Sequence, residues 1–236
     1  MSPTRSTPKS SPLKRKPGLR SAPVARQALG ETDGKPTRIQ ERNRARILEA
    51  GLSEFSRFGF GGATIEKIAA GAGMSKSNLL YYYPTKTAIY EAVLEHILDT
   101  WLAPLRMLDI TGDPAAELAD YIRQKLKISA EWPEASRLFA SEILQGAPQV
   151  KPVLQGSLRQ LVSEKAAVIR AWIAAGKLKP HVEPVHLIFL IWSATQHYAD
   201  FETQVLALTG KTLKDEAFRG EAEAALVATI LGGVLA

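Results

Sequence analysis

TIEKIAAGAGMSKSNLLYYYPTK, residues 64–86, is the stretch on which the fold turns. Thr64 offers a side-chain oxygen to cap a short helix whose apolar stripe is Ile65, Ile68, Ala69 and Ala72. Gly71 and Gly73 end that helix. Ser75 can cap a second one through Tyr83, and Pro84 closes it because proline disfavours helix in the residue before it. Two helices of about two turns joined by a glycine-containing tight turn form a helix-turn-helix pattern.

Reading outward, Ile47, Leu48, Leu52, Phe55 and Phe58 recur at helical spacing until Gly59, Gly61 and Gly62, which predicts a first helix packed on the pair. Downstream, 85–106 carries Ile89, Val93, Ile97 and Trp101 on one face, and Pro104 is predicted to kink or end that helix. Further stripes are Leu118, Tyr121, Ile122 and Leu126, then Leu138, Phe139, Ile143 and Leu144. The next runs from Leu154 through Ile169, Trp172 and Ile173 to Gly176, a predicted left-handed cap. No run alternates with period two. The fold class is therefore all-α, with about nine helices: a three-helix helix-turn-helix head over 38–84, followed by a second helical domain over 85–236.

Leu187 to Trp192 is apolar on every side, so its helix needs cover on more than one face. The last helix carries Phe218, Ala222, Ala225, Leu226, Thr229, Ile230 and Gly233, a stripe rich in small residues. A two-fold homodimer pairing these two helices from each subunit would cover both.

The composition of the 236 residues, 45% hydrophobic and 23% charged, is that of a soluble globular chain. With no cysteine, disulfides, thiolate metal sites and cysteine nucleophiles are excluded. Residues 1–35 hold eight Lys/Arg against two acidic residues, so the whole net charge of +6 sits there. Rich in proline and poor in bulky apolar residues, 1–37 reads as a disordered basic tail able to add salt-sensitive affinity for a polyanion. Residues 36–101 hold eight basic and seven acidic residues, so the head itself is close to neutral. Proline and lysine stand where a secretory signal has its apolar core, and no run approaches the ~20 residues of a membrane span; a cytoplasmic protein is expected.

The quoted segment resembles the DNA-binding segment of TetR-type regulators, T-x-x-x-I-A-x-x-A-G-V-S-x-x-x-L-Y-x-Y-F-x-x-K. Thr64, Ile68, Ala69, Ala72, Gly73, Ser75, Leu79, Tyr82 and Lys86 stand at matching places, while Met74, Leu80 and Tyr83 depart from it conservatively. That resemblance implies double-stranded operator DNA as partner, and 85–236 as a ligand-binding and dimerisation domain. Side-chain chemistry agrees: Ser75, Lys76, Ser77 and Asn78 occupy the first turn of the second helix, within reach of base edges or phosphates, with Lys76 and Asn78 as chief base readers. Tyr81 and Tyr82 can donate hydroxyls to phosphate, Lys86 a point charge, and the helix start at Thr64 backbone N–H groups.

The runs LEHILDTWLAPL, YIRQKLKIS, PEASRLFASEILQGAP and HLIFLIWSATQHYADF, together with SKSNLLYYYPTK, resemble one branch of that family, the regulators of pyrimidine utilisation, over nearly all of 40–220. This implies a repressor released from its operator by uracil or thymine. A pyrimidine base is flat, with two donors and two acceptors, and wants an aromatic wall with amide or carboxylate partners. Trp192 and Gln196, four apart on one face, fit that need; Phe139 and Glu142 are candidates for the opposite wall, and Tyr198 and His197 are alternatives.

Other motifs fail. Leu208-Thr209-Gly210-Lys211-Thr212 lacks the upstream glycine of a phosphate loop, since position 205 is valine. Glu183 and His186 have di-iron spacing without a second such motif, and the four histidines lack zinc spacing, so no metal or cofactor is expected. No nucleophile and base pair supports an enzyme. The competing readings are a repressor answering to a different small molecule and a nonspecific DNA-binding protein.

Overall fold

The computed structural model describes residues 37–236, so the expectation for the tail falls almost wholly outside the described residues. Its last residue, Thr37, belongs instead to the first helix. Thr37 accepts from the Gln40 backbone N–H while the Gln40 side chain accepts from the Thr37 N–H, a reciprocal cap on α1 (Arg38–Gly62).

The head follows the predicted order. Helix α1 breaks at Gly59, whose φ of 65° is left-handed, and runs one further turn to Gly62. Thr64 and Ser75 cap α2 (Ile65–Gly71) and α3 (Lys76–Tyr82) by accepting from the Lys67 and Asn78 backbone N–H groups. Gly73 makes the turn between them at φ 62°, and a Cβ there would meet the Arg46 guanidinium at 2.3 Å. That guanidinium donates to the Gly73 carbonyl, tying the turn to α1.

Thr85 caps α4 (Lys86–Arg106), and Pro104 neither ends nor interrupts it, lying in the last turn. Then come α5 (Pro114–Glu131), α6 (Pro133–Leu144), the single turn α7 (Lys151–Val153) and a π-helical turn (Leu154–Leu158) leading into α8 (Arg159–Ala174). Last are α9 (Pro184–Asp200), α10 (Glu202–Thr209) and α11 (Glu216–Val234). Among the described residues there is no strand, only an isolated bridge between Leu178 and Leu235, and no helix long and apolar enough to cross a membrane.

Two expectations about elements need correction. Among the described residues, eleven α-helical segments replace about nine: the stretch 151–174 is subdivided, and α10 carries too weak a stripe to be read, with Val205 its one buried residue. This helix also absorbs the tempting Thr209-Gly210-Lys211 run, because Gly210 is its left-handed cap. The stripe over 138–144 is buried at Leu138, while Ile143 and Leu144 point outward at the open end of α6.

Packing joins head to body. Ile47 and Phe55 of α1, Ile68 and Ala69 of α2 and Leu79 of α3 share one core with Ile89, Val93 and Ile97 of α4, and with Leu138 of α6. A boundary at 84/85 therefore cuts through packed side chains. Gly51 lets α1 lie close on α4, where an added Cβ would stand 3.1 Å from Val93. The second core, in the body, is built on α5 between α9 and α11, with Leu118, Tyr121, Ile122 and Leu126 all buried. Trp172 of α8 closes it, its indole N–H donating to the Ile110 carbonyl at 3.1 Å.

Candidate nucleic-acid interface and buried polar cluster

The second helix of the pair stands on the surface. Leu79 and Tyr82 face the core, and Lys76, Ser77, Asn78 and Tyr81 are exposed on the opposite side together with Ser75 and Thr64. The seven-residue α3 thus presents a hydrogen-bonding surface on an apolar anchor, the geometry needed to enter a major groove.

Three expected DNA contacts are otherwise engaged. Tyr82 is buried, and its hydroxyl accepts from the Asn43 amide of α1 at 2.8 Å, so it pins α3 to α1. Lys86 Nζ donates to the carbonyls of Phe60 and Ala63 at 2.8 and 3.0 Å, closing the open end of α1 where Gly59 has broken the ladder. Lys76 Nζ pairs with Glu66 of α2 at 2.7 Å. The Thr64 and Ser75 hydroxyls serve as caps, which leaves their exposed helix starts intact.

A buried polar cluster lies in the body. Lys125 of α5 is 2% exposed, with its ammonium 4.8 Å from the centre of the Trp101 ring. Burial pushes its pKa down to about 7, against the opposing pull of the Asp200 carboxylate. Asp200, at the end of α9, accepts from the Ser136 hydroxyl of α6, and burial raises its own pKa. Trp101 Nε1 is buried with no hydrogen-bond partner. A donor left unpaired in the interior is costly and marks a place where an acceptor belongs.

Several sequence-predicted ligand residues converge here. Phe139 meets Trp101 edge-on at 5.5 Å, and the Trp192 indole N–H donates to the Tyr121 hydroxyl, one turn along α5 from Lys125. Gln196 lies between Trp192 and Asp200 on the same flank of α9, half-buried. Tyr198 does not join them, since its ring packs on Phe218 of α11. His197 is exposed.

Glu142 does not join them either. It is 3% exposed, with one oxygen accepting from the Tyr90 hydroxyl at 3.1 Å and the other from the Gln149 N–H at 2.7 Å. Its carboxylate borders a separate cavity of about 520 Å³ between the end of α1, Tyr90 and α6. The Tyr90 ring in turn packs against Phe55 and Phe60 at 4.8 and 5.0 Å.

Sequence reading passed over Trp101, Lys125, Ser136 and Asp200. A signal for Lys125 existed: it follows Tyr121 by four residues, on the stripe that Leu118 and Ile122 mark as core. A lysine at a core position is rarely accidental.

Residues 47–93 match the family described as bacterial regulatory proteins, tetR family, and 94–236 match the YcdC-like protein C-terminal region. The HTH-type transcriptional regulator RutR of Escherichia coli K12 is 51% identical over 192 residues, covering 81% of this chain and 90% of the relative; RutR of Shigella flexneri gives the same figures. A solved transcriptional regulator of Streptomyces coelicolor superposes with a TM-score of 0.64 at 26% identity, covering 81% of this chain and 98% of its own.

Proposed function

The chain belongs to the TetR family of bacterial transcriptional regulators, none of these relatives being an enzyme, and from that premise we propose that it is a cytoplasmic repressor of pyrimidine catabolism. It binds operator DNA as a homodimer and is released when uracil or thymine enters the body. One observation carries the effector half of this reading: an unpartnered indole N–H and a buried ammonium stand side by side among aromatic rings. The indole N–H is a donor in want of an acceptor and the ammonium is a second donor beside it, and a pyrimidine dione brings two carbonyl oxygens on a flat ring. Trp101, Phe139 and Trp192 supply stacking surface, Lys125 and Trp101 Nε1 meet carbonyls, and Gln196 accepts from or donates to a ring edge.

For DNA, the exposed Ser75, Lys76, Ser77, Asn78 and Tyr81 read bases and phosphates, and Thr64 marks a second backbone contact. Tyr82 and Lys86 act behind them by fixing α3 and the end of α1.

Release follows from geometry. Two recognition helices occupy successive major grooves only at a matching separation of about one helical turn or a small multiple. Helix α6 carries Phe139 in the polar cluster and Glu142 on Tyr90, which packs on the foot of α1. A base that shifts α6 therefore shifts the support beneath the head. For regulation the base must prefer one arrangement, and a coupling of about 1–3 kcal/mol suffices for a 5–150-fold change in operator affinity.

The test is operator competition binding with uracil, thymine, cytosine and a purine each added in turn. Uracil or thymine should weaken binding by at least about 5-fold, while the purine does nothing. Equal operator affinity in all four would remove the pyrimidine effector and leave the DNA-binding regulator standing.

A further inference from the structure

The pair Glu66–Lys76 crosses from α2 to the first residue of α3, on the face of the head where α3 is exposed. Both side chains are more than half exposed, and the Glu66 carboxyl is held below its ordinary pKa, chiefly by the hydrogen bond from Lys76. Lys76 is the one charged residue of α3. Neighbouring cations are engaged: Lys67 with Glu54 and the Phe58 ring, Arg46 with the Gly73 carbonyl, Arg44 over Tyr83 and Lys86 on the end of α1. What Lys76 does on DNA therefore depends on what Glu66 lets it do.

An ammonium has three donors. Lys76 can keep its bond to Glu66 and still donate to guanine O6 or N7, the acceptors that a lysine reads in the major groove. Swinging to a phosphate is different. The carboxylate would then be left unpaired beside a polyanion, in a head whose own charge is close to neutral. The same contact that costs little on the right sequence is penalised on the wrong one, and discrimination rests on such a repulsive element.

We propose that Glu66 is a specificity-determining residue of the DNA interface, tethering Lys76 to base edges and keeping it off the backbone. This rests on the DNA-binding reading given above and deepens it at one residue.

The experiment uses the full chain. A duplex enriched by the wild type from a random pool and the unselected pool itself are titrated over a range of salt, with wild type, Glu66→Gln, Lys76→Ala and the double variant. Glu66→Gln should tighten binding to the unselected pool by about 3-fold per head, roughly 10-fold for a molecule with two heads. The salt slope on that pool should steepen by about 0.9 per head, and the preference for the selected duplex should shrink accordingly. In the Lys76→Ala background the same substitution should do much less, because the tethered group is gone. An unchanged preference in Glu66→Gln, or an equal effect with and without Lys76, overturns the inference while leaving a DNA-binding regulator intact. Failure of the wild type to enrich any duplex overturns both.

Discussion

Lys125 shows how one side chain can set the pH behaviour of the body. It titrates near 10.5 when unfolded and near 7 when buried against Trp101. Between those values the unfolded state holds the extra proton, so stability rises with pH from about 7 towards 10.5; below about 7 both states are charged and the cost of the buried ammonium is felt in full. Other ionisable groups around it belong to α6 and α9: Asp200, with Arg137 and His197 acting on that carboxylate. Lys125→Met keeps the length of the side chain and removes the charge. It should stabilise the protein by about 1–4 kcal/mol near neutral pH and flatten the alkaline rise. Denaturant midpoints measured across that range check this, and parallel profiles for wild type and variant would show that Lys125 is not the source. Reading Trp101 as plain core was reasonable from spacing, since it lies on the stripe of Ile89, Val93 and Ile97. Its unpartnered indole N–H is a property of neighbours brought in from α5 and α6, which periodicity does not encode.

At the scale of elements, α6 bears the most consequence for its length. Its Glu142 was legible as a carboxylate inside a helical stripe, but not as a partner of Tyr90, 52 residues earlier, because pairing at that distance depends on how α4 crosses α6. Tyr90→Phe keeps the ring against Phe55 and Phe60 and deletes the hydroxyl, leaving a buried carboxylate oxygen without its donor. The variant should lose about 1–3 kcal/mol of stability. Its operator affinity without effector should hold, and the effect of an added pyrimidine should fall well below the wild-type response. Thermal melts and operator competition read the two outcomes, and a full response in Tyr90→Phe would exclude this hydrogen bond from the coupling. By contrast, the helix boundaries of the head were readable almost to the residue. Thr64, Ser75 and Thr85 cap through their own side chains, and Gly73 supplies a backbone angle few residues tolerate. Local chemistry decides such features, so local sequence reveals them.

At the scale of the whole molecule, an apolar flank faces outward. His186, Phe189, Leu190, Ser193 and His197 share one exposed flank of α9, with Phe189 and Leu190 about half exposed. The small-residue stripe of α11 divides: Ala222 and Ile230 turn inward, while Ala225, Thr229 and Gly233 turn outward beside Ala224, Ala228 and Gly232. These two faces fit the four-helix contact expected of a homodimer. Leu190→Glu should yield single subunits in sedimentation at concentrations where the wild type is paired, and should weaken operator binding by about 10²–10⁴-fold, the advantage of two linked modules. A paired variant with normal operator affinity would place the contact elsewhere. The shared core of α1, α2, α3, α4 and α6 has its own consequence for anyone who would re-engineer the protein. A chimera that borrows another regulator's operator preference by splicing at residue 84 inherits a mismatched wall at Ile89, Val93 and Leu138. Moving the crossover beyond Ile97 carries the α4 part of that wall along, but Leu138 of α6 still lies on the other side of the splice, so the graft must import its neighbour's side chain there as well.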